Sequence, residues 1–149
     1  MTAVHDRHGR RRFLYLLAAL TLWAHGDAAI RGSAGAAAGD AARGEGVFAR
    51  LPCASCHDIT RPSPGGDICP NLGSIGAEAA RRVRLPDYRG KAKDAAGYIR
   101  ESIVDPNAFV VPGPNYRTAD GQSIMPKTFG ATLTPSELDD LVAFLLTRR

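Results

Sequence analysis

Residues 53–72 read CASCHDITRPSPGGDICPNL and contain all three cysteines of the 149-residue chain. Cys53 and Cys56 are separated by two residues, and His57 follows directly. Cys69 comes later in the same stretch, immediately before Pro70. Three cysteines cannot all pair with one another, so at least one of them must have a role other than an internal disulfide.

The sequence Cys53-x-x-Cys56-His57 is the attachment motif of haem c. Two thiols at this spacing on one helical turn can form thioether bonds with the two vinyl groups of a single haem. The next side chain then presents its imidazole to the iron. We therefore predict one haem c attached through two thioether bonds to Cys53 and Cys56, with His57 as an iron ligand.

A zinc site is the alternative, because Cys53, Cys56, Cys69 and His57 together offer a Cys3His ligand set. A tetrahedral site is awkward to close around Cys56 and His57, since these two residues are sequence neighbours. A thioredoxin-type C-x-x-C requires a βαβ context, and no strand pattern is present. A zinc-stabilised Cys/His binding module without redox function remains the alternative to a haem protein.

The second axial ligand can be narrowed by counting residues. His57 is the only histidine after residue 25, and Met125 is the only methionine other than Met1. Met125 lies in an irregular Ser-Ile-Met-Pro segment, where its side chain can point inward. We predict Met125 as the second ligand, because His/Met ligation is a standard arrangement for haem c. Lys127 is the alternative, although its ammonium group must lose a proton to coordinate.

The first 28 residues have the order of an export signal: a basic run, an apolar run over residues 13–24 and then small residues. The apolar run is shorter than the roughly 20 residues of a membrane span. We predict that residues 1–28 direct export to the periplasm and that residues 29–39 form an Ala/Gly-rich tether. An uncleaved N-terminal anchor is the alternative, and membrane contact is expected only in that case.

The basic excess is concentrated at the start of the chain. Residues 1–39 carry a net charge of +3, whereas residues 40–149 carry only +1, which argues against a nucleic-acid partner. One basic run nevertheless lies within the second part: Arg81, Arg82, Arg84, Arg89, Lys91 and Lys93. This run is either an ordinary solvated surface or a docking patch for an acidic redox partner.

The periodicity of residues 40–149 predicts one all-α domain with three to four short helices and long loops. We expect helices over residues 40–51 and 93–104, and a last helix that begins with a capping box of Thr134 and Glu137. Residues 58–91 are expected to be ordered loop with about one helical turn. Helices this short give a small apolar core, which one bound haem would complete.

Over residues 40–149 the sequence resembles the class I c-type cytochromes. The matching elements are the C-x-x-C-H motif, Gly44-x-x-x-Phe48, Pro70-Asn71-Leu72, YIRESIVDPNAFVVPG at 98–113, Met125-Pro126 and an apolar terminal helix. The resemblance implies the class I cytochrome c fold around one covalently bound haem. It also implies that the Pro70 carbonyl accepts the ring N–H of His57, and that Gly44 and Phe48 cross the last helix near Leu141 and Phe144.

The chain between Pro106 and Met125 is longer than in the shortest members of this family, so residues 112–123 are expected to form an extra surface loop. Cys69 is expected to be a small buried apolar residue beside the haem, with an intermolecular disulfide as the alternative. Parts of the chain look most like cytochrome c domains of terminal oxidases or redox subunits.

The predicted function is single-electron transfer between redox partners, either as a periplasmic shuttle or as the electron-transfer subunit of a dehydrogenase or terminal oxidase. Ligation by both His57 and Met125 leaves no open position on the iron, so substrate binding there is disfavoured. No acid–base or nucleophilic constellation is evident, and we expect no catalytic residues and no enzymatic activity.

Overall fold

The computed structural model describes residues 39–62, 66 and 68–149. Over these residues the chain forms five α-helices, one short 3-10 helix and no strand. They are α1 (Ala41–Arg50), the 3-10 helix (Pro52–Ser55), α2 (Ile75–Arg82), α3 (Ala95–Val104), α4 (Phe129–Thr132) and α5 (Pro135–Leu146). The predicted all-α class is confirmed. The export signal and nearly all of the predicted tether lie outside the described residues.

Side-chain caps fix the starts of the three longest helices. The carboxylate of Asp40 accepts from the backbone N–H of Arg43 at the start of α1. Asp94 does the same for Gly97 at the start of α3. The predicted capping box opens α5, where the Thr134 hydroxyl accepts from the Glu137 N–H and the Glu137 carboxylate accepts from the Thr134 N–H.

Helices α1 and α5 pack across each other at very short range, and we call this contact the helix crossing. Gly44 lies so close to α5 that a Cβ there would collide with the carbonyl oxygen of Asp140 and lie 2.7 Å from the Cβ of Phe144. The rings of Phe48 and Phe144 pack with their centroids 5.6 Å apart. The crossing implied by the family resemblance is therefore confirmed, and Gly44 is required because no side chain fits.

A buried carboxylate locks the same crossing from one side. Asp140 accepts from the backbone N–H of Asp40 at 2.6 Å and from the Arg43 guanidinium at 2.7 and 2.9 Å. Its side chain is only 6% exposed, so these protein groups supply the hydrogen bonds that water would otherwise make to the carboxylate. The Arg43 guanidinium, followed by the Asp40 N–H, holds the pKa of the Asp140 carboxyl below its ordinary value.

The helix count differs from the prediction of three to four. Residues 75–82 form a two-turn helix rather than a single turn within a loop, and α4 adds a four-residue helix before α5. Short side chains conceal α2 in the sequence, because its fully buried residue is Ala79. The Gly76 N–H donates to the Arg148 carbonyl at 2.8 Å, so packing against the chain end supports α2.

Two loops run beside the helices, and we name them after the residues that the sequence singles out. The Pro70 loop spans residues 58–72, described except for 63–65 and 67, and the Met125 loop spans residues 105–128. The predicted extra surface loop at 112–123 belongs to the Met125 loop and is mostly exposed, but Tyr116 within it is buried. Over the described residues, no helix combines the length and the apolar character needed to cross a membrane.

Candidate haem site

One cavity of ≈ 270 Å³ collects every residue that the sequence predicts for the site. Its lining includes Cys53, Cys56, His57, Pro70 and Met125. These residues come from the 3-10 helix, from the Pro70 loop and from the Met125 loop. Segments that are far apart in sequence therefore meet around a single space.

The 3-10 helix sets the relative positions of the two thiols and the imidazole. The backbone N–H groups of Cys56 and His57 both donate to the carbonyl of Cys53, at 3.1 and 2.9 Å. This closes one tight turn and brings Cys53 and Cys56 onto one side of it. The predicted turn at the motif is thus a 3-10 turn, and Pro52 at its first position is compatible with the start of a helix.

The Pro70 carbonyl fixes the orientation of the His57 ring. Its oxygen lies 2.7 Å from His57 Nδ1, and because a carbonyl can only accept, Nδ1 carries the proton. Burial lowers the pKa of His57, although the Pro70 carbonyl opposes that shift. Burial thus favours the neutral ring, and in that ring the Pro70 contact leaves Nε2 unprotonated, which is the form that can coordinate iron.

The remaining walls of the cavity are mainly apolar. They include Leu72, Ile99, Ile103, Phe109 and Leu145. Among the described residues that line it, Arg82 is the only cation and Glu78 the only acid, and the two lie 3.6 Å apart. A flat apolar macrocycle with carboxylate side groups fits this combination, since the walls would cover its faces and Arg82 offers a partner for one carboxylate.

Met125 and Lys127 occupy different environments, although only one residue separates them. Met125 is partly buried, lines the cavity and packs against the core, and its backbone N–H donates to the Ser123 hydroxyl at 3.2 Å. Lys127 is exposed, does not line the cavity, and its ammonium group hydrogen-bonds the side chain of Gln122. Of these two side chains, only that of Met125 therefore reaches the cavity.

Cys69 lies on the wall of the same cavity. It is 7% exposed, and burial together with the neighbouring Cys56 thiol raises its pKa to about 12. A thiol with this pKa stays protonated at neutral pH and is a poor nucleophile. Its burial agrees with the expected apolar role and argues against an intermolecular disulfide.

The zinc alternative receives no support from the described part of the chain. No group of three or more His, Cys, Asp or Glu side chains in those residues is arranged to hold a metal ion. Cys53, Cys56 and His57 instead face a mainly apolar space that is much larger than a single ion requires.

The Cytochrome c family model matches residues 41–149. The chain belongs to the cytochrome c family. No curated protein and no solved structure matches the chain. Membership of the family makes covalently bound haem c, with its iron, the cofactor of this domain, and it gives the domain an electron-transfer role.

The haem supplies a one-electron Fe(III)/Fe(II) couple, and the cytochrome c domain supplies attachment, orientation and exclusion of water. Cys53 and Cys56 would hold the haem through two thioether bonds, and His57, oriented by the Pro70 carbonyl, would bind its iron. The sequence did not indicate that Phe109 and Tyr116 also line the cavity. No spacing rule could have found them, because both lie in the irregular Met125 loop.

Proposed function

We propose that this protein is a monohaem c-type cytochrome with His57 and Met125 as axial ligands, and that it carries single electrons between redox proteins of the periplasm. The observation that carries the proposal is that the two thiols of the C-x-x-C-H motif, its histidine and Met125 all line one cavity. The protein acts as a diffusing shuttle or as the electron-transfer subunit of a larger oxidoreductase.

Carriage of electrons, rather than catalysis at the iron, follows from these two ligands. An imidazole and a thioether together leave no position for a substrate on the iron. Covalent attachment and the packed walls limit rearrangement when the iron changes its charge. The thioether of Met125 favours a comparatively high reduction potential.

A pyridine haemochrome assay and a spectroscopic redox titration of the purified holoprotein test this function. We expect one haem per chain, attached through two thioether bonds, and a single reversible one-electron transition. Protein without a Soret band that contains zinc would instead support the Cys/His binding module. Co-purification with a dehydrogenase or oxidase from the native membrane fraction would identify the subunit role rather than the shuttle.

The basic run suggests where an acidic partner docks. Arg81 and Arg82 both pair with Glu78, at 2.8 and 3.6 Å, so part of their charge is already balanced. Arg84, Lys91 and Lys93 are exposed, and their side chains make no ion pair among the described residues. We infer that these three side chains, rather than Arg81 and Arg82, steer an acidic redox protein toward the haem.

Two single-charge variants test the docking site against simple loss of net charge. Arg84→Gln should slow electron exchange with the native partner at low ionic strength, and the difference from wild type should shrink as salt is added. Arg149→Gln removes the same net charge from outside the basic run and should change the rate less. Equal rates for both variants at low salt would remove the basis for a docking patch here.

Periplasmic placement rests on the export-type sequence of residues 1–28. Trp23 is the only tryptophan in the chain and lies within that segment. If the segment is removed on export, the mature protein has no tryptophan, and its measured mass is that of a chain that starts after residue 28. Tryptophan fluorescence from the purified periplasmic form would show that the segment is retained.

A further inference from the structure

Tyr116 connects the two loops that carry the predicted axial ligand Met125 and the histidine-orienting Pro70. It lies within the Met125 loop but is only 5% exposed. Its hydroxyl group donates to the Gly66 carbonyl at 2.8 Å and accepts from the Gly66 N–H at 3.0 Å. One phenol thus satisfies both backbone groups of a residue that lies 50 positions away in the sequence.

The backbone of Tyr116 is tied just as closely to the segment that leads into Met125. Its carbonyl accepts from the N–H of Ile124, the residue directly before Met125, at 3.2 Å. An antiparallel bridge between Arg117 and Ser123 and a Thr118 N–H to Gln122 carbonyl hydrogen bond of 2.8 Å close the hairpin between them. A shift of Tyr116 is therefore transmitted to Met125 over a short, hydrogen-bonded path.

The Gly66 end of this connection reaches the other side of the site. Gly66 packs so tightly on the backbone carbonyl of Cys69 that a Cβ would collide with it. Cys69 directly precedes Pro70, whose carbonyl lies 2.7 Å from His57 Nδ1. Contacts thus run from the segment of Met125, through Tyr116 and Gly66, to the support of His57.

We propose that Tyr116 is a positioning residue that clamps the Met125 loop to the Pro70 loop and keeps the Met125 thioether at the iron. The inference rests on the proposed ligation by Met125. Tyr116→Phe would keep the ring against Gly113 but remove both hydrogen bonds to the half-buried backbone of Gly66. The Met125 loop would then leave the site more readily, and an external ligand would compete better for the iron.

The test is imidazole binding to the ferric holoprotein, followed through the weak far-red band that the family resemblance associates with methionine ligation. Tyr116→Phe should bind imidazole at least about fivefold more tightly than wild type, which is the factor that the loss of one of its two hydrogen bonds implies. Its covalent haem content should be unchanged. Gly113→Ala is a second variant, because its Cβ would push against the Tyr116 ring and should act in the same direction.

Tyr88→Phe is the matched control. The hydroxyl group of Tyr88 also donates a hydrogen bond, to the carboxylate of Glu101, but Tyr88 does not line the cavity. It should lose stability without a change in imidazole affinity, which separates a general loss of packing from a loss of methionine positioning.

Equal imidazole affinity in wild type, Tyr116→Phe and Gly113→Ala would overturn the positioning role while leaving ligation by Met125 intact. Equal gains in Tyr116→Phe and Tyr88→Phe would also overturn it, because the effect would then be general loosening. A wild-type protein without the far-red band would overturn the ligation by Met125 and the positioning role with it.

Discussion

The helix crossing and the two loops hold the domain together by different means. At the crossing, backbone meets backbone: Gly44 lies against the Asp140 carbonyl, and the buried Asp140 carboxylate binds α1 through Asp40 and Arg43. The loops are held mainly by side chains that hydrogen-bond backbone groups, such as Tyr116 with Gly66 and Asn107 with Ser123.

Because of this difference, the helix crossing should determine the stability of the domain, whereas the two loops should determine how the haem iron is coordinated. The crossing is dense and regular, so a change there is expected to alter the free energy of unfolding of the whole domain. Pro70 and Met125 lie on the loops, where changes are expected to alter the haem environment and leave the helices in place. Variants at the two places should therefore show different effects.

Loss of both attachment thiols is expected to have the largest effect. Cys53→Ala/Cys56→Ala removes both sites of thioether formation, so no haem should remain on the chain after denaturing electrophoresis. Haem staining of the gel measures this directly. Cys69→Ala is the control, since Cys69 lies on the same wall but outside the attachment motif, and it should keep its covalent haem.

If Cys69→Ala also lost its covalent haem, it would be wrong that Cys53 and Cys56 attach the haem without help from Cys69. The contact between Cys69 and Cys56 would then have to take part in haem attachment.

At the helix crossing, Gly44→Ala and Gly46→Ala form a matched pair within α1. A Cβ at Gly44 would collide with the Asp140 carbonyl, whereas a Cβ at Gly46 has no heavy atom within 4 Å. Gly44→Ala should cost about 1–3 kcal/mol of unfolding free energy or more through overpacking. Gly46→Ala should add up to about 1 kcal/mol through helix propensity. Chemical denaturation of the holoproteins measures both.

Destabilisation by Gly44→Ala no larger than the effect of Gly46→Ala would show that α1 can move away from α5 at little cost. The contrast between a rigid crossing and adjustable loops would then fail.

Within the Met125 loop, Met125→Ala should abolish the far-red band of the ferric protein and lower the reduction potential, because the iron loses its thioether ligand. The helix content measured by circular dichroism should stay close to wild type. Lys127→Ala is the control and should retain the band, since Lys127 lies outside the cavity. Retention of the band in Met125→Ala would refute the proposed ligation.

The features of the fold and of the site that the sequence predicts are those that depend on residues close together in the chain. The attachment motif and the capping box of Thr134 and Glu137 are short-range patterns, and neighbouring residues are enough to identify both. The packing of Gly44 against α5 is implied by the family resemblance and not by the glycine alone, because a lone glycine in a helix has several explanations. Helix α2 is longer than the sequence predicts, because Ala79, its buried residue, adds little to an apolar pattern.

The parts of the site that escaped prediction depend on long-range contacts. Tyr116 lies in a polar, proline-containing loop and has no periodic neighbours, so nothing in the sequence indicates that it is buried against Gly66. The hydrogen bonds from Asp40 and Arg43 to the Asp140 carboxylate are hidden from the sequence for the same reason. An acidic residue in the middle of an amphipathic helix is ordinarily exposed, and its partners Asp40 and Arg43 lie at the other end of the domain sequence.

The smallest predicted effect is a pH dependence of stability that arises from the buried carboxylate of Asp140. The pKa of Asp140 is lowered in the folded protein, first by the Arg43 guanidinium and then by the Asp40 N–H. Asp140 therefore contributes stability above the ordinary aspartate pKa of about 3.9, and this contribution is lost as the pH falls through the lower folded value. Asp140→Asn should be less stable than wild type at neutral pH and should lose less stability on acidification.

Denaturation midpoints over a series of acid pH values measure this dependence, and Asp139→Asn is the neighbouring control. Asp139 is 30% exposed in its side chain and pairs with Arg100 at the surface, so water can screen what the pair contributes. Its acid profile should stay closer to wild type than that of Asp140→Asn. Parallel profiles for all three proteins would mean that the Arg43–Asp140 contact adds no proton-linked stability, and the crossing would then depend on the packing of Gly44, Phe48 and Phe144 alone.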